Sequence, residues 1–205
     1  VIVKKLFNSK KVSHFGTLDP MVTGVLPLAL NRACRLMGYF IGKNKTYVGI
    51  MRLHKEISIE DLNKKIKLFI VGGEIIQLPP KKSRVKRVER KRTIFTFKII
   101  EKNNKDILFE TEVEAGTYIR KLIHDIGEKI GGAHMLELRR TQASIFNESE
   151  SYNLYELSEA VENYKNGNEA KLRKMLIPGE IISQVLPSVE IKENYVKELY
   201  HGSPL

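Results

Sequence analysis

The chain has 205 residues, 42% hydrophobic and 29% charged, enough for one core-bearing globular domain, or one domain with a small appendage. A formal net charge of +11 favours an anionic partner, and with no apolar run of membrane-spanning length, nucleic acid is preferred to a lipid surface. The single cysteine, Cys34, excludes an internal disulfide and a cysteine-rich zinc site, and the five histidines lack helical metal-ligand spacing, so no metal is expected.

Val1 to Phe7 reads as the end of an amphipathic helix, which implies further chain upstream. Val25 to Leu30 is a short apolar strand candidate. Asn31 is expected to cap a helix reaching Phe40, with Ala33, Leu36, Met37 and Phe40 on its buried face. Lys45 to Leu53 alternates and is predicted to be a strand carrying Tyr47 near its start. Ser58-Ile59-Glu60-Asp61 resembles a capping box and opens a helix to about Phe69. Gly72-Gly73 breaks it, and Glu74 to Leu78 forms a strand ended by Pro79-Pro80.

Thr93 to Lys102 and Ile107 to Glu114 read as antiparallel strands joined by the turn Asn103-Asn104-Lys105-Asp106. Thr117 then begins a helix to about Ile130, with Ile119, Leu122, Ile123, Ile126 and Ile130 on its apolar face. Gly131-Gly132 stops it, and Met135 to Ser144 reads as a last core strand. Helical pieces follow at Leu154 to Lys165, Glu169 to Leu176 and Pro178 to Leu186. From Val189 one strand-like and one helix-like piece remain. Without regular βαβ alternation, the fold class is α+β, with a central, largely antiparallel mixed sheet flanked by helices.

Between His14 and Arg32 the chain carries one charged residue, Asp19, within the run Phe15-Gly16-Thr17-Leu18-Asp19-Pro20-Met21-Val22-Thr23-Gly24-Val25-Leu26-Pro27. A carboxylate in apolar surroundings loses solvation and needs a compensating partner. Pro20 keeps Asp19 out of the helical region, so it sits in an extended or turning segment. An Asx turn or helix cap is the plain reading, and a reacting carboxylate is the sharper one. Arg120 falls in the first turn of a mostly apolar helix. It suits either a surface salt bridge or the bidentate partner that Asp19 requires. Tyr47, in Lys45-Thr46-Tyr47, is either a core aromatic or a platform for a base flipped out of its strand. Lys81 to Arg92 holds eight basic residues and one acid. This is either a solvated loop or an arm whose Arg84, Lys86 and Arg87 contact phosphates.

The Gly-Thr-Leu-Asp-Pro and Val-Thr-Gly-Val-Leu-Pro pieces resemble the catalytic loop of the TruB-type pseudouridine synthases. The resemblance extends through Val12 to Leu30, the Lys-Thr-Tyr strand to His54, Gly73 to Arg92, Val113 to Ile130 and Ala133 to Thr141. Together these motifs cover most of residues 5 to 150, in family order. Glu74-Ile75-Ile76-Gln77-Leu78-Pro79-Pro80, Arg52-Leu53-His54 and Ala133 to Arg140 are similar to the archaeal and eukaryotic H/ACA branch, the dyskerin-like synthases. The resemblance implies that Asp19 is the catalytic aspartate, Arg120 its paired arginine and Tyr47 the tyrosine packed on the target base. It also implies that His14 helps to place the flipped nucleotide and that Leu138 lines the pocket.

The implied reaction converts RNA uridine to pseudouridine without a metal or organic cofactor. The implied partners are the target RNA, an H/ACA guide RNA and small H/ACA core proteins, around a monomer within a ribonucleoprotein. No membrane is involved, and the setting is cytoplasmic if the source is archaeal and nucleolar if eukaryotic. A stand-alone tRNA pseudouridine synthase of bacterial type and a non-catalytic RNA-binding homologue are the alternatives. The implied domain division is a catalytic domain over residues 1–186, its upstream segment missing, and a strand/helix tail over 187–205 leading toward an absent PUA domain. The chain departs from the family at Phe15, where a small residue is usual, at Met21, where lysine is common, and at Leu78, where arginine often stands.

Overall fold

A computed structural model describes residues 1–80 and 85–202. In its first third, helix α1 (Ile2–Leu6) leads to strands β1 (Val12–His14), β2 (Val22–Gly24) and β3 (Leu28–Leu30). A 3-10 segment, Asn31–Leu36, runs into helix α2 (Met37–Ile41) and strand β4 (Lys45–Leu53). Helix α3 (Ile59–Phe69) precedes strands β5 (Glu74–Gln77), β6 (Arg90–Asn103) and β7 (Asp106–Val113). Helix α4 (Ile119–Ile130), strands β8 (Ala133–Ala143) and β9 (Phe146–Asn147), and helices α5 (Leu154–Lys165), α6 (Ala170–Met175) and α7 (Val196–Tyr200) complete the order.

The principal sheet runs β2-β8-β4-β7-β6-β5, with β9 on the end of β8, and a separate pair joins β1 to β3. Its described pairings are antiparallel except β2 with β8, which is parallel, so the expected largely antiparallel mixed sheet is present. Strand β4 is central because nearly every second residue turns to the core: Tyr47, Met51 and Leu53 are buried. The expected apolar face of α4 packs there too, with Leu122, Ile123 and Ile126 sealed from solvent beside Leu62 and Ile66 of α3. Gly131 ends α4 in the left-handed conformation, at φ 91°.

Phe15 belongs to a second cluster, which accounts for a bulky residue beside the Asp19 loop. Its ring stacks on Phe40 at 5.2 Å, and Phe146 closes the trio at 5.9 Å from Phe15. A third cluster holds Ala160 and Val161 of α5 against Leu172 of α6.

Several expectations are corrected. Asn31 does not cap a helix: it lies at φ 50°, and its side-chain oxygen accepts a hydrogen bond from Ser9 Oγ at 2.9 Å. Only Leu28–Leu30 of the 25–30 run is strand, because Pro27 cannot donate to a ladder. At Ser58 the cap forms, but Ser58 Oγ reaches the Asp61 carboxylate, so the reciprocal bond is side chain to side chain. Arg90–Arg92 is not loop but the opening of β6, paired to β5. No strand forms in the described tail after Val189, which is exposed.

Candidate active site

The loop from Phe15 to Met21 hangs between β1 and the unanticipated strand β2. Strand β2 exists because Val22-Thr23-Gly24 lies parallel to Leu138-Arg139-Arg140 of β8. Gly24 makes this approach possible: it sits at φ 104°, and an added Cβ would fall 2.1 Å from the Arg140 carbonyl oxygen. The loop is closed by a hydrogen bond from the Val22 N–H to the Asp19 carbonyl at 2.9 Å.

Asp19 is ion-paired with Arg120, which also donates a hydrogen bond to Asp19 Oδ2. These residues are 101 apart in sequence, and the helix α4 start delivers the guanidinium to the loop. The expected burial is absent. The side chains of Arg120 and Asp19 are 49% and 54% exposed, so the pair is open to solvent and its Coulomb energy is screened.

Tyr47 lies behind this pair, 8% exposed, and directly opposite Arg140 across the β4–β8 ladder. Burial pushes its phenol pKa up. The Arg140 charge acts in the opposite direction, while the Asp19 charge reinforces burial. Leu138, two residues before Arg140 on the same strand face, is 7% exposed and packs in the same apolar cluster as Tyr47. Asp19, Arg120, Tyr47 and Leu138 are therefore brought into one locale.

His14 ends β1 immediately before the loop and is exposed, with no side-chain hydrogen bond or ion pair to the described residues. Lys86 and Arg87 are exposed, and Arg84 lies outside the described residues. Val85 and Val88, the apolar residues of the basic segment, are 44% and 41% exposed and do not tie it to the core.

Two contributors escaped the sequence reading. Arg140 is 1% exposed, and its guanidinium donates to the carbonyls of Val25 at 3.0 Å, Gly16 at 3.1 Å and Thr17 at 3.4 Å. It grips the Asp19 loop from both sides, and no carboxylate of the described residues lies within salt-bridge distance of it. Lys45 is buried beside it, its Nζ donating to Ile41 O at 3.0 Å and Lys43 O at 2.8 Å. Burial, then the Arg140 charge, lowers the Lys45 pKa to about 8. Gln77, the second omission, is 2% exposed and hydrogen-bonds through its amide to the Tyr118 backbone, at the start of α4. The available signal was alternation: Arg140 shares a face with Leu138, and Gln77 with Ile75, so both point inward.

Two family models match the chain. The N-terminal domain of TruB family pseudouridylate synthases covers residues 4–70, and the tRNA pseudouridylate synthase B C-terminal domain covers residues 120–183. The chain belongs to the TruB family. Among its relatives, a probable tRNA pseudouridine synthase B of Archaeoglobus fulgidus is 44% identical over all of this chain and 63% of its own length. One from Thermococcus onnurineus is 46% identical over 99% of this chain and 61% of its own. Similar solved structures include a Cbf5-Nop10-Gar1 complex, at TM-score 0.90 and 42% identity, covering 98% of this chain and 61% of the other. An H/ACA ribonucleoprotein bound to a substrate RNA containing 2′-deoxyuridine matches at TM-score 0.87 and 40% identity, covering 99% and 61%. This TruB-family chain thus spans a little over three fifths of those relatives, 61–63% of their length. The TruB-family N-terminal match contains Asp19, Tyr47 and His14, and the C-terminal match contains Arg120, Leu138 and Arg140.

Proposed function

We propose that this chain carries the active site of an RNA pseudouridine synthase, serving as the catalytic subunit of an H/ACA-type ribonucleoprotein. One observation carries the reading: the half-exposed Asp19–Arg120 pair adjoins Tyr47, which feels the Asp19 charge, and Tyr47 and Leu138 share a buried cluster that we read as the floor of the site. A uridine still stacked in RNA cannot reach such a floor, so the nucleotide must be flipped out. Tyr47 then packs on the base, Leu138 closes the apolar side, and His14, at the loop's entry, contacts the displaced nucleotide. Arg120 keeps the Asp19 carboxylate charged and aimed.

In the reaction the C1′–N1 bond breaks, the uracil rotates, and C5 bonds to C1′. The proton on C5 is lost and N1 gains one, so the change is an isomerisation. Asp19 is the group available to attack carbon or to take a proton. No step calls for a metal or an organic cofactor.

The solved relatives that contain Nop10, Gar1 and substrate RNA support the ribonucleoprotein reading, with target RNA, guide RNA and small H/ACA proteins as partners. The archaeal relatives favour a cytoplasmic setting. The names of those relatives, tRNA pseudouridine synthases, support tRNA as a further substrate. The test incubates the protein with tRNA and rRNA labelled with tritium at uridine C5, with and without H/ACA RNA and the small proteins. Release on rRNA that requires the guide RNA is expected. Release from tRNA without any guide would favour a stand-alone enzyme, and binding without release under all conditions would overturn the proposal.

A further inference from the structure

Gln77 closes strand β5 and is 2% exposed, although it carries a primary amide. Both ends of that amide meet one residue. Its Nε2 donates to the Tyr118 carbonyl at 3.2 Å, and its Oε1 accepts from the Tyr118 N–H at 3.0 Å. Tyr118 is the extended residue from which α4 departs, with no side-chain cap of its own. Two residues later Arg120 reaches Asp19.

The reciprocal pair copies one step of an antiparallel ladder, so it fixes both the position and the orientation of the Tyr118 peptide. The same turn is secured from β6: the Thr93 N–H donates to Glu114 Oε2 at 2.9 Å, and Arg92 lies 3.5 Å from the Glu114 carboxylate. The connection from β7 to α4 is therefore held by polar contacts on two sides, and on the side nearer Arg120 the Gln77 amide adds to the buried Ile119 and Leu122 and to the Leu122 N–H bond on the Tyr118 carbonyl at 2.9 Å.

We infer that Gln77 is a positioning residue for Arg120, holding the first turn of α4 where the guanidinium meets the Asp19 carboxylate. The inference rests on the reading of Asp19 and Arg120 as the reacting site. Gln77 touches neither the carboxylate nor the guanidinium and acts only through the Tyr118 peptide. A displacement of the guanidinium by about 1 Å is enough to lower a rate by on the order of 100-fold.

The test compares wild type, Gln77→Ala and Gln77→Glu by two readouts. The first is amide exchange at Tyr118 measured by NMR, with Ile126 in the core as the reference. Gln77→Ala should speed exchange at Tyr118 at least about 10-fold while Ile126 is unchanged. The second is single-turnover tritium release from C5-labelled RNA, read as separate rate constant and amplitude. Gln77→Ala should lower the rate constant about 10- to 100-fold at full amplitude, with RNA affinity within about 3-fold of wild type.

Gln77→Glu adds a pH signature that simple core filling lacks. Ionised, the carboxylate can accept from the Tyr118 N–H but cannot donate to its carbonyl. Burial raises its pKa, and as pH falls through that value the protonated acid regains a donor. The rate constant of Gln77→Glu relative to wild type should therefore recover toward acid pH. This variant also serves if Gln77→Ala fails to fold. Reduced amplitude with an unchanged rate constant would show a role in folding only and overturn the inference, as would no recovery in Gln77→Glu. If wild type itself releases no tritium, the functional reading falls, and the exchange of Tyr118 still decides whether Gln77 holds the turn.

Discussion

Tyr47 and Arg140 face each other across the β4–β8 ladder, and the same Arg140 guanidinium holds the loop that carries Asp19. One buried side chain thus ties the β4–β8 part of the sheet to the loop that carries Asp19. Removing it leaves the Gly16, Thr17 and Val25 carbonyls short of donors and opens a cavity beneath the loop.

Arg140→Ala should therefore destabilise the chain by about 3–5 kcal/mol. Arg140→Lys should recover only part of the loss, since one ammonium lacks the planar fork that serves three carbonyls. Urea unfolding of the two variants measures both. A loss below about 1 kcal/mol in Arg140→Ala would show that the loop holds itself.

The Asp19–Arg120 pair behaves differently because water reaches it. Arg120→Ala should cost no more than about 1 kcal/mol of stability, despite the loss of an ion pair linking two distant segments. Thermal unfolding checks this, and a loss of several kcal/mol would mean that the pair is effectively desolvated.

Lys45 supplies a pH test. Its pKa is about 8 in the folded chain against the usual 10.5 of a solvated lysine. Between those values the unfolded chain binds more protons at this site, so the Lys45 contribution to stability rises with pH. Lys45→Met lacks that rise. The stability of Lys45→Met minus that of wild type should hence decline as pH climbs from about 8 to 10.5. A difference independent of pH across that window would show that Lys45 titrates normally.

The sequence made the alternating strands and the apolar face of α4 legible because each has a strong period, and Lys45–Leu53 of β4 and Leu154–Lys165 of α5 match the expected spans residue for residue. The resemblance to the TruB-type synthases also implied the pairing of Asp19 with Arg120, where the residues alone left Arg120 open between that role and a surface salt bridge. Burial was misjudged, because an apolar stretch flanking a charge does not say which side faces solvent. Strand β2 was missed because three residues containing a glycine carry no period, and its partner β8 lies more than a hundred positions away. Arg140 and Gln77 were missed for the reverse reason: an arginine and a glutamine default to the surface, and only tertiary carbonyl and amide partners make burial tolerable.

The basic segment remains a testable phosphate contact. Lys86→Ala and Arg87→Ala together should weaken RNA binding alike for unrelated sequences, and each lost contact should flatten the logarithmic salt slope by about 0.7–0.9. Both side chains are exposed, so the melting temperature should not move. A fully folded variant with the parent's salt slope would place this segment away from the RNA.

The most direct measurement is tritium release from RNA labelled at uridine C5, comparing wild type with Asp19→Asn in the presence of guide RNA and the small H/ACA proteins. Asparagine keeps the shape of the side chain and removes the charge, and the pair's exposure means the fold should survive. The account predicts release by wild type and a loss of at least about 1000-fold in Asp19→Asn, with RNA affinity nearly unchanged. Equal rates for the two proteins would contradict the assignment of Asp19 as the reacting carboxylate.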